Sequence, residues 1–184
     1  MPGARFSARY SRMKKRNQQS SQLSEHDAEL SPSLRVRAQA DQLYRAASEC
    51  VRQRERYAKL VASSAADSEL ESTLRLASLC DELLTQALQA YEDAVAKDGG
   101  AANEPWWHQA NTLWHASREY GRRRREVDES SRKLGAHSAS KLTELNLQYD
   151  LEASALLGLD HALASYRKCC PDAEHSTQSA KRAS

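Results

Sequence analysis

The chain has 184 residues, which is enough for one domain, or two small ones, with a sizeable core. Only 6 Gly, 4 Pro and a single Phe accompany a hydrophobic content of 40%, and this composition disfavours an all-β sandwich and a glycine-rich nucleotide-binding domain. The formal net charge is only +2, from 27 basic and 25 acidic side chains, so the overall charge indicates neither nucleic acid nor an anionic membrane as a partner.

The first 30 residues are rich in Ser, Gln, Arg and Lys and are predicted to be a disordered tail, first basic and then acidic. Its residues 1–22 carry six basic side chains and no acid. The basic cluster Arg12, Lys14, Lys15 and Arg16 can adapt to an anion or to a nucleic-acid backbone.

The first of four predicted helices starts at Ser31-Pro32, where a Ser can cap the helix and a Pro fits its first turn, and continues to about Ala62. The connection that follows, residues 63–68, contains neither Gly nor Pro. The first two helices could therefore run on as one, and a second chain would then complete the bundle. The apolar row of this helix consists of Val36, Ala40, Leu43, Ala47, Cys50, Tyr57 and Val61.

The second predicted helix starts near Asp67-Ser68, where Ser68 and Glu71 have the spacing of a capping box, and ends at Asp98-Gly99. Residues 33–66 carry seven basic and three acidic side chains, whereas residues 67–98 carry two basic and eight acidic ones. Because these net charges, +4 and −6, attract each other, we expect the first two helices to be antiparallel neighbours. The predicted core row of the second helix consists of Leu76, Leu79, Leu83, Ala87, Ala90 and Ala94.

The third predicted helix opens at Asn103-Glu104-Pro105 and stops at Gly135, and the fourth runs from about Ser138 to Cys170-Pro171. Such matched lengths favour side-by-side packing, so the predicted fold is an all-α bundle of four long antiparallel helices over residues 31–171, followed by a disordered tail over 172–184. The core row of the third helix is Trp107, Ala110, Trp114, Ser117 and Tyr120, and that of the fourth is Leu142, Leu145, Tyr149, Glu152, Leu156, Leu159, Leu163 and Tyr166.

A short motif recurs in all four helices, with a small residue flanked by larger ones on the same face. The offset is 70 residues from the first helix to the third and 75 from the second to the fourth, which allows a duplicated helical hairpin. Chance recurrence in Ala-rich helices is the alternative. The four copies are Leu43-x-x-Ala46-Ala47-x-x-Cys50, Leu84-x-x-Ala87-Leu88-x-x-Tyr91, Leu113-x-x-Ala116-Ser117-x-x-Tyr120 and Leu159-x-x-Ala162-Leu163-x-x-Tyr166.

Charged residues interrupt two of the predicted core rows. Glu152 lies between Tyr149 and Leu156, where an unpaired carboxylate would be costly. We expect it to pair with an arginine of another helix, and Arg54 is the first choice because it also interrupts its own row. Alternatively, Glu152 lies at the edge of the row. The four arginines at 122–125 are expected to pair locally with the acids that follow them.

All three tryptophans, Trp106, Trp107 and Trp114, lie within nine residues at the start of the third helix. Because Trp106 and Trp107 cannot both face one core, at least one is expected on a surface that binds a partner or a second subunit, with Trp114 and Tyr120 on the same helix. The alternative is that one of them covers the end of the bundle. We predict a non-catalytic interaction module, an adaptor or assembly subunit that binds a protein partner or itself.

Two other functions remain open. A nucleic-acid-associated protein would use the basic tail as its anchor. A metal-binding bundle would use Glu104, His108 and His115, which lie along one side of the third helix, although the Glu-x-x-His spacing of bundle metal sites does not occur in the sequence.

Motifs of catalytic sites are missing from the sequence: it contains neither a nucleophile elbow nor a phosphate-binding glycine loop. We therefore predict no enzyme activity, no cofactor and no small-molecule substrate. No apolar run approaches the roughly 20 residues that span a bilayer, and no signal-peptide stretch follows the basic N terminus. The four cysteines lack zinc-type spacing, so we expect reduced thiols in an intracellular protein, cytoplasmic or nuclear.

Overall fold

The structure, a computed structural model, describes residues 31–99, 101–132 and 139–174. Within these ranges the chain is all-α, as predicted. It forms four long helices, α1 (Pro32–Ala62), α2 (Asp67–Asp98), α3 (Trp107–Arg132) and α4 (Ala139–Cys169), and a final 3-10 turn, Pro171–Glu174.

The four helices alternate in direction around the bundle. α1 packs most extensively against α2, and α3 against α4, while smaller contacts join α1 to α4 and α2 to α3. Arg35 at the start of α1 donates from Nε to Asp98 Oδ2 at the end of α2, at 2.9 Å. This hydrogen bond lowers the pKa of the Asp98 carboxyl. The expected antiparallel pairing of the two oppositely charged helices is thus confirmed.

The connection between α1 and α2 reverses the chain without Gly or Pro. Ser64 supplies the turn with a left-handed φ of +53°, and the Ser63 backbone N–H donates to Lys59 O at 3.0 Å. The first two helices therefore do not run on as one. The predicted capping box is wrong, because α2 already begins at Asp67 after Ala66, and Ala66 makes no side-chain capping bond.

Gly99 ends α2 in a conformation that is almost reserved for glycine, with φ +79° and ψ 172°. We expect Gly99→Ala to destabilise the fold by about 1–2 kcal/mol. Gly158 is the control, since no atom lies within 4 Å of an added Cβ inside α4, and Gly158→Ala should stabilise the fold by about 0.5–1 kcal/mol. Urea unfolding measures the free energy of unfolding of both variants. A Gly99→Ala variant that is more stable than the original chain would contradict the role of Gly99 at the end of α2.

The core combines the predicted row of α1 with the recurring motif. The α1 residues Val36, Ala40, Leu43, Ala47 and Cys50 are all buried, as predicted. The first and last residues of all four copies of the motif are buried as well: Leu43, Cys50, Leu84, Tyr91, Leu113, Tyr120, Leu159 and Tyr166. The motif is therefore a core-packing pattern in every helix.

The predicted core face of α2 is wrong for its three leucines, whereas Ala87 and Ala94 of the same predicted row pack against the core. Leu76, Leu79 and Leu83 are exposed, and the helix is rotated by about one residue relative to the prediction. The face that packs inward carries Thr73, Ala77, Cys80, Leu84 and Tyr91. The reason is that α2 has two apolar rows, and only the second lies beside the carboxylates Asp81 and Asp98 that pair with α1.

α4 has the predicted limits within about one residue, the predicted end of α3 at Gly135 lies outside the described residues, and the start of α3 differs from the prediction by a few residues. α3 begins at Trp107, after a turn in which the Trp107 N–H donates to Glu104 O at 3.0 Å. The fold also includes residues 172–174, which the sequence analysis assigns to the tail, because Ala173 packs into the core. The predicted tail over 1–30 and the rest of the C-terminal tail lie outside the described residues.

In the described ranges, none of the helices has the length and hydrophobicity that would let it cross a bilayer.

Candidate functional site

A layer of charged and polar side chains crosses the middle of the bundle, and every helix contributes to it. This polar layer consists of Arg54 of α1, Asp81 of α2, Tyr120 and Arg124 of α3, and Glu152 of α4. Arg54 Nε donates to Tyr120 Oη at 3.0 Å, and Tyr120 Oη donates to Asp81 Oδ1 at 3.1 Å. Arg54 also donates to Asp81 directly.

The partner of Glu152 is Arg124, whose Nη1 lies 3.3 Å from Glu152 Oε1. The expected arginine from another helix is confirmed, but the choice of Arg54 is wrong, because Arg54 is occupied by Asp81 and Tyr120. Arg124 also donates to Asp128 at 2.6 Å. The two arginines therefore pair with three carboxylates, Asp81, Glu152 and Asp128, and tie all four helices together at this level.

Burial suppresses the ionisation of Tyr120 in the layer and of two cysteines close to Asp81. Burial raises the pKa of the Tyr120 hydroxyl, and burial together with nearby Asp81 raises that of the Cys50 thiol. Burial likewise raises the pKa of Cys80. These thiols therefore stay protonated and weakly nucleophilic at neutral pH.

A groove of about 520 Å³ opens beside the polar layer, between α2 and α3. Its charged lining is balanced, with Arg124, Arg125 and Arg132 opposite Asp81, Glu82 and Asp128.

The arginine run after Gly121 pairs locally, as expected. Arg122 donates to Glu119 at 2.6 Å and to Glu126 at 2.5 Å, and Arg123 contacts the same two acids. These side chains keep between 23% and 45% of their surface exposed and pair within one helix, so each pair contributes little to stability.

The four aromatic residues predicted as partner contacts lie in different environments, two of them buried and two half-buried. Trp106 is only 4% exposed and Tyr120 is fully buried, so both belong to the core and offer no surface to a partner. Trp107 is half-buried and lies edge-on to Trp106, with ring centroids 6.0 Å apart. Trp107 therefore covers this end of the bundle, in accord with the alternative interpretation.

Trp114 is half-buried, and its ring is engaged by its own chain. Its Nε1 donates to Glu92 of α2 at 2.9 Å. The Arg118 guanidinium lies 5.5 Å from the ring centroid and the His115 ring 4.4 Å from it. A partner at Trp114 would have to replace these contacts.

Glu104, His108 and His115 are not brought together. Across residues 31–99, 101–132 and 139–174, no group of three or more His, Cys, Asp or Glu side chains is placed to hold a metal ion. The basic cluster Arg12, Lys14, Lys15 and Arg16 lies outside the described residues.

The surface that the sequence analysis missed is a row of exposed leucines on the outer side of α2. Leu76, Leu79 and Leu83 are 44%, 54% and 54% exposed, and we call them the leucine ridge. Their spacing of three and four residues places them along one side of the helix. The sequence shows these three leucines as an apolar row, and the prediction assigned that row to the core instead of the surface.

A shallow groove between α1 and α2 continues the leucine ridge. Its volume is about 470 Å³. Apolar atoms of Ala46, Leu83, Ala87 and Ala90 line it, and polar side chains of α1 form its other wall. The ridge and groove together form an apolar strip that faces outward from the bundle.

Comparison with protein-family models, with curated proteins and with solved structures finds no significant match to this chain.

Proposed function

We propose that the protein is a non-catalytic helical interaction module, an adaptor or assembly subunit, that binds a protein partner through the leucine ridge. The observation that carries this proposal is the exposure of three consecutive ridge leucines, Leu76, Leu79 and Leu83, beside an apolar groove. Singly exposed leucines are ordinary, but a contiguous row on a helix matches the way an amphipathic partner helix is bound.

The ridge is favoured over the tryptophans as the binding surface for an energetic reason. Binding at Trp114 must first break its hydrogen bond to Glu92 and its contact with Arg118. The ridge leucines already have about half of their surface exposed, so covering them is favourable by roughly 25 cal/mol for each Å² of apolar surface removed from water.

We further propose that the protein acts inside the cell, in the cytoplasm or nucleus. All four cysteines are free thiols, and three of them, Cys50, Cys80 and Cys170, are buried in the bundle. Unpaired cysteines in a folded core suit a reducing compartment.

Site-specific photo-cross-linking in cells tests the proposed surface. A photoreactive side chain at position 79 is expected to give a covalent protein adduct of defined mass, because a bound partner lies against that position. The adduct should disappear when Leu83→Glu is added, since a charge in the strip opposes burial. The matched control places the same side chain at Ala164, an exposed position on α4.

Two results would contradict the proposal. One is the lack of an adduct at position 79. The other is an adduct that forms equally from position 164, or that persists with Leu83→Glu, because its formation would then not depend on the ridge.

A further inference from the structure

We propose that the partner bound by the leucine ridge is a second copy of this chain, packed antiparallel about a two-fold axis between Leu76 and Leu79. This inference rests on the proposed function and identifies the partner of the same surface. Three features support a second copy: the spacing of the ridge leucines, the charged residues beside them, and the pairing of other acids of α2 within their own bundle.

The spacing of the ridge is that of a helix-helix interface. Leu76 and Leu83 are seven residues apart with Leu79 between them, which is the a and d pattern of a heptad. Ser72 extends the same row and is small enough to let a second helix approach. About this axis Leu83 lies opposite Ser72 of the partner subunit, so the two rows overlap from Ser72 to Leu83, about 17 Å at 1.5 Å per residue.

The flanking charges are self-complementary only in the antiparallel orientation. Arg75 and Glu82 are exposed, lie seven residues apart and therefore occupy equivalent positions on one flank of the ridge. When two copies run antiparallel with Leu76 packed on Leu79 of the partner subunit, Arg75 lies beside Glu82 of the partner subunit. The two-fold axis repeats this pair, so each dimer contains it twice.

The parallel orientation is disfavoured by the same residues. In a parallel two-fold arrangement the flank with Arg75 and Glu82 would face the other flank of the ridge, where Cys80 of the partner subunit and Ala87 of the partner subunit lie. The two ion pairs could then not form, so the parallel arrangement lacks the attraction that the antiparallel one has. In the described part of the chain Glu82 forms no ion pair, and Arg75 pairs only with exposed Glu71, at 2.6 Å.

The acidic character of α2 does not prevent two copies of it from meeting. Asp98 is paired with Arg35, Asp81 with Arg54, and Glu92 accepts from Trp114. These three acids are thus neutralised or engaged within their own bundle, on the sides of α2 that face α1 and α3. Four further acids of α2, Asp67, Glu69, Glu71 and Asp93, are exposed, and Arg75 and Glu82 form the self-complementary pair on the flank of the leucines.

Light scattering of the purified full chain over a concentration series tests the inference. We expect the mass to rise from 20.6 kDa for one chain towards twice that value as the concentration increases. Leu79→Glu is expected to leave the chain monomeric throughout. Leu157→Glu is the control, because Leu157 is 64% exposed on α4.

Charge reversal tests the antiparallel register. Arg75→Glu and Glu82→Arg should each weaken dimerisation at least about tenfold, because attraction becomes repulsion at two symmetric places. The double variant should restore the original affinity. Glu71→Gln controls for the lost pair within the helix and should leave affinity unchanged. The proposed pairing would be overturned if neither single variant changed the dimerisation affinity. It would also be overturned if the double variant dimerised more weakly than either single variant.

The failure of this inference is distinguishable from failure of the proposed function. A chain that stays monomeric at every concentration, while position 79 still gives adducts to other proteins in cells, excludes the second copy and leaves the interaction function intact. A monomeric chain without adducts at position 79 overturns both.

Discussion

Leu159→Ala is expected to lower the free energy of unfolding by about 3–5 kcal/mol, the largest single-residue effect that we anticipate in this protein. Leu159 has no exposed surface and belongs to a core built from all four helices. Truncation removes three buried carbon atoms and leaves a cavity that long, antiparallel helices cannot easily close. Urea or guanidinium unfolding followed by circular dichroism measures the change.

The matched control lies two residues earlier on the same helix. Leu157 is 64% exposed, so Leu157→Ala makes the same chemical change outside the core and should alter stability by less than about 0.5 kcal/mol. Equal losses for the two variants would mean that α4 is rotated relative to the structure described above.

Asp81→Ala is expected to cost about 2–4 kcal/mol, because it removes the carboxylate at the centre of the polar layer. Arg54 would lose its ion pair while remaining largely buried, and Tyr120 would lose its hydrogen-bond acceptor. The partial exposure of Asp81 keeps the expected loss below that of a fully buried pair. Chemical denaturation of the purified variant gives the value.

Two variants separate the effect of charge from that of helix propensity and volume. Asp81→Asn keeps the size of the side chain and one hydrogen-bond acceptor, so it should be less damaging than Asp81→Ala. Asp93 is an exposed aspartate on the same helix that accepts from Gln89 at 2.8 Å, and Asp93→Ala should change stability by less than about 0.5 kcal/mol. If Asp81→Ala is as mild as Asp93→Ala, the layer does not stabilise the bundle.

Helix boundaries could be predicted well where local chemistry alone decides them. α1 begins after the N-cap Ser31 and α2 ends at Gly99, as expected. Both ends depend on residues within a few positions along the chain, such as a capping hydroxyl, a proline in the first turn or a glycine with positive φ. The start of α2 near Asp67 was also as expected, but the capping box of Ser68 and Glu71 was wrong, because the N-cap is Ala66, two residues earlier.

Core membership was predictable only where a helix has a single apolar row. In α1 there is no second apolar row as strong as the one from Val36 to Cys50, and this row is buried as expected. In α2 the Leu76, Leu79 and Leu83 row is more hydrophobic than the row that packs, which contains Thr73, Ala77 and Cys80. The hydrophobicity of the two rows therefore favoured the wrong face. It carries no information about which face of α2 must point inward for Asp81 to reach Arg54.

The candidate site shows the same division. Trp106 and Tyr120 were predicted as partner contacts from residue type and clustering, but the fold places both in the core. Conversely, the leucine ridge was visible in the sequence as an apolar row, and only its position outside the bundle marks it as a surface. Residue type indicates what a side chain can contact, whereas burial decides which contacts remain available.

The sequence by itself determined the all-α class, the four long helices, the limits of α1, α2 and α4 to within about one residue, and the pairing of α1 with α2. These follow from helix propensity, capping residues, apolar periodicity and net charge, all of which act over short stretches or whole helices. Only the tertiary structure decided the rotation of α2, the pairing of Glu152 with Arg124 and the exposure of the leucine ridge. Those depend on which side chains of distant segments meet, because rotation of a helix about its axis is fixed by its neighbours rather than by its own residues.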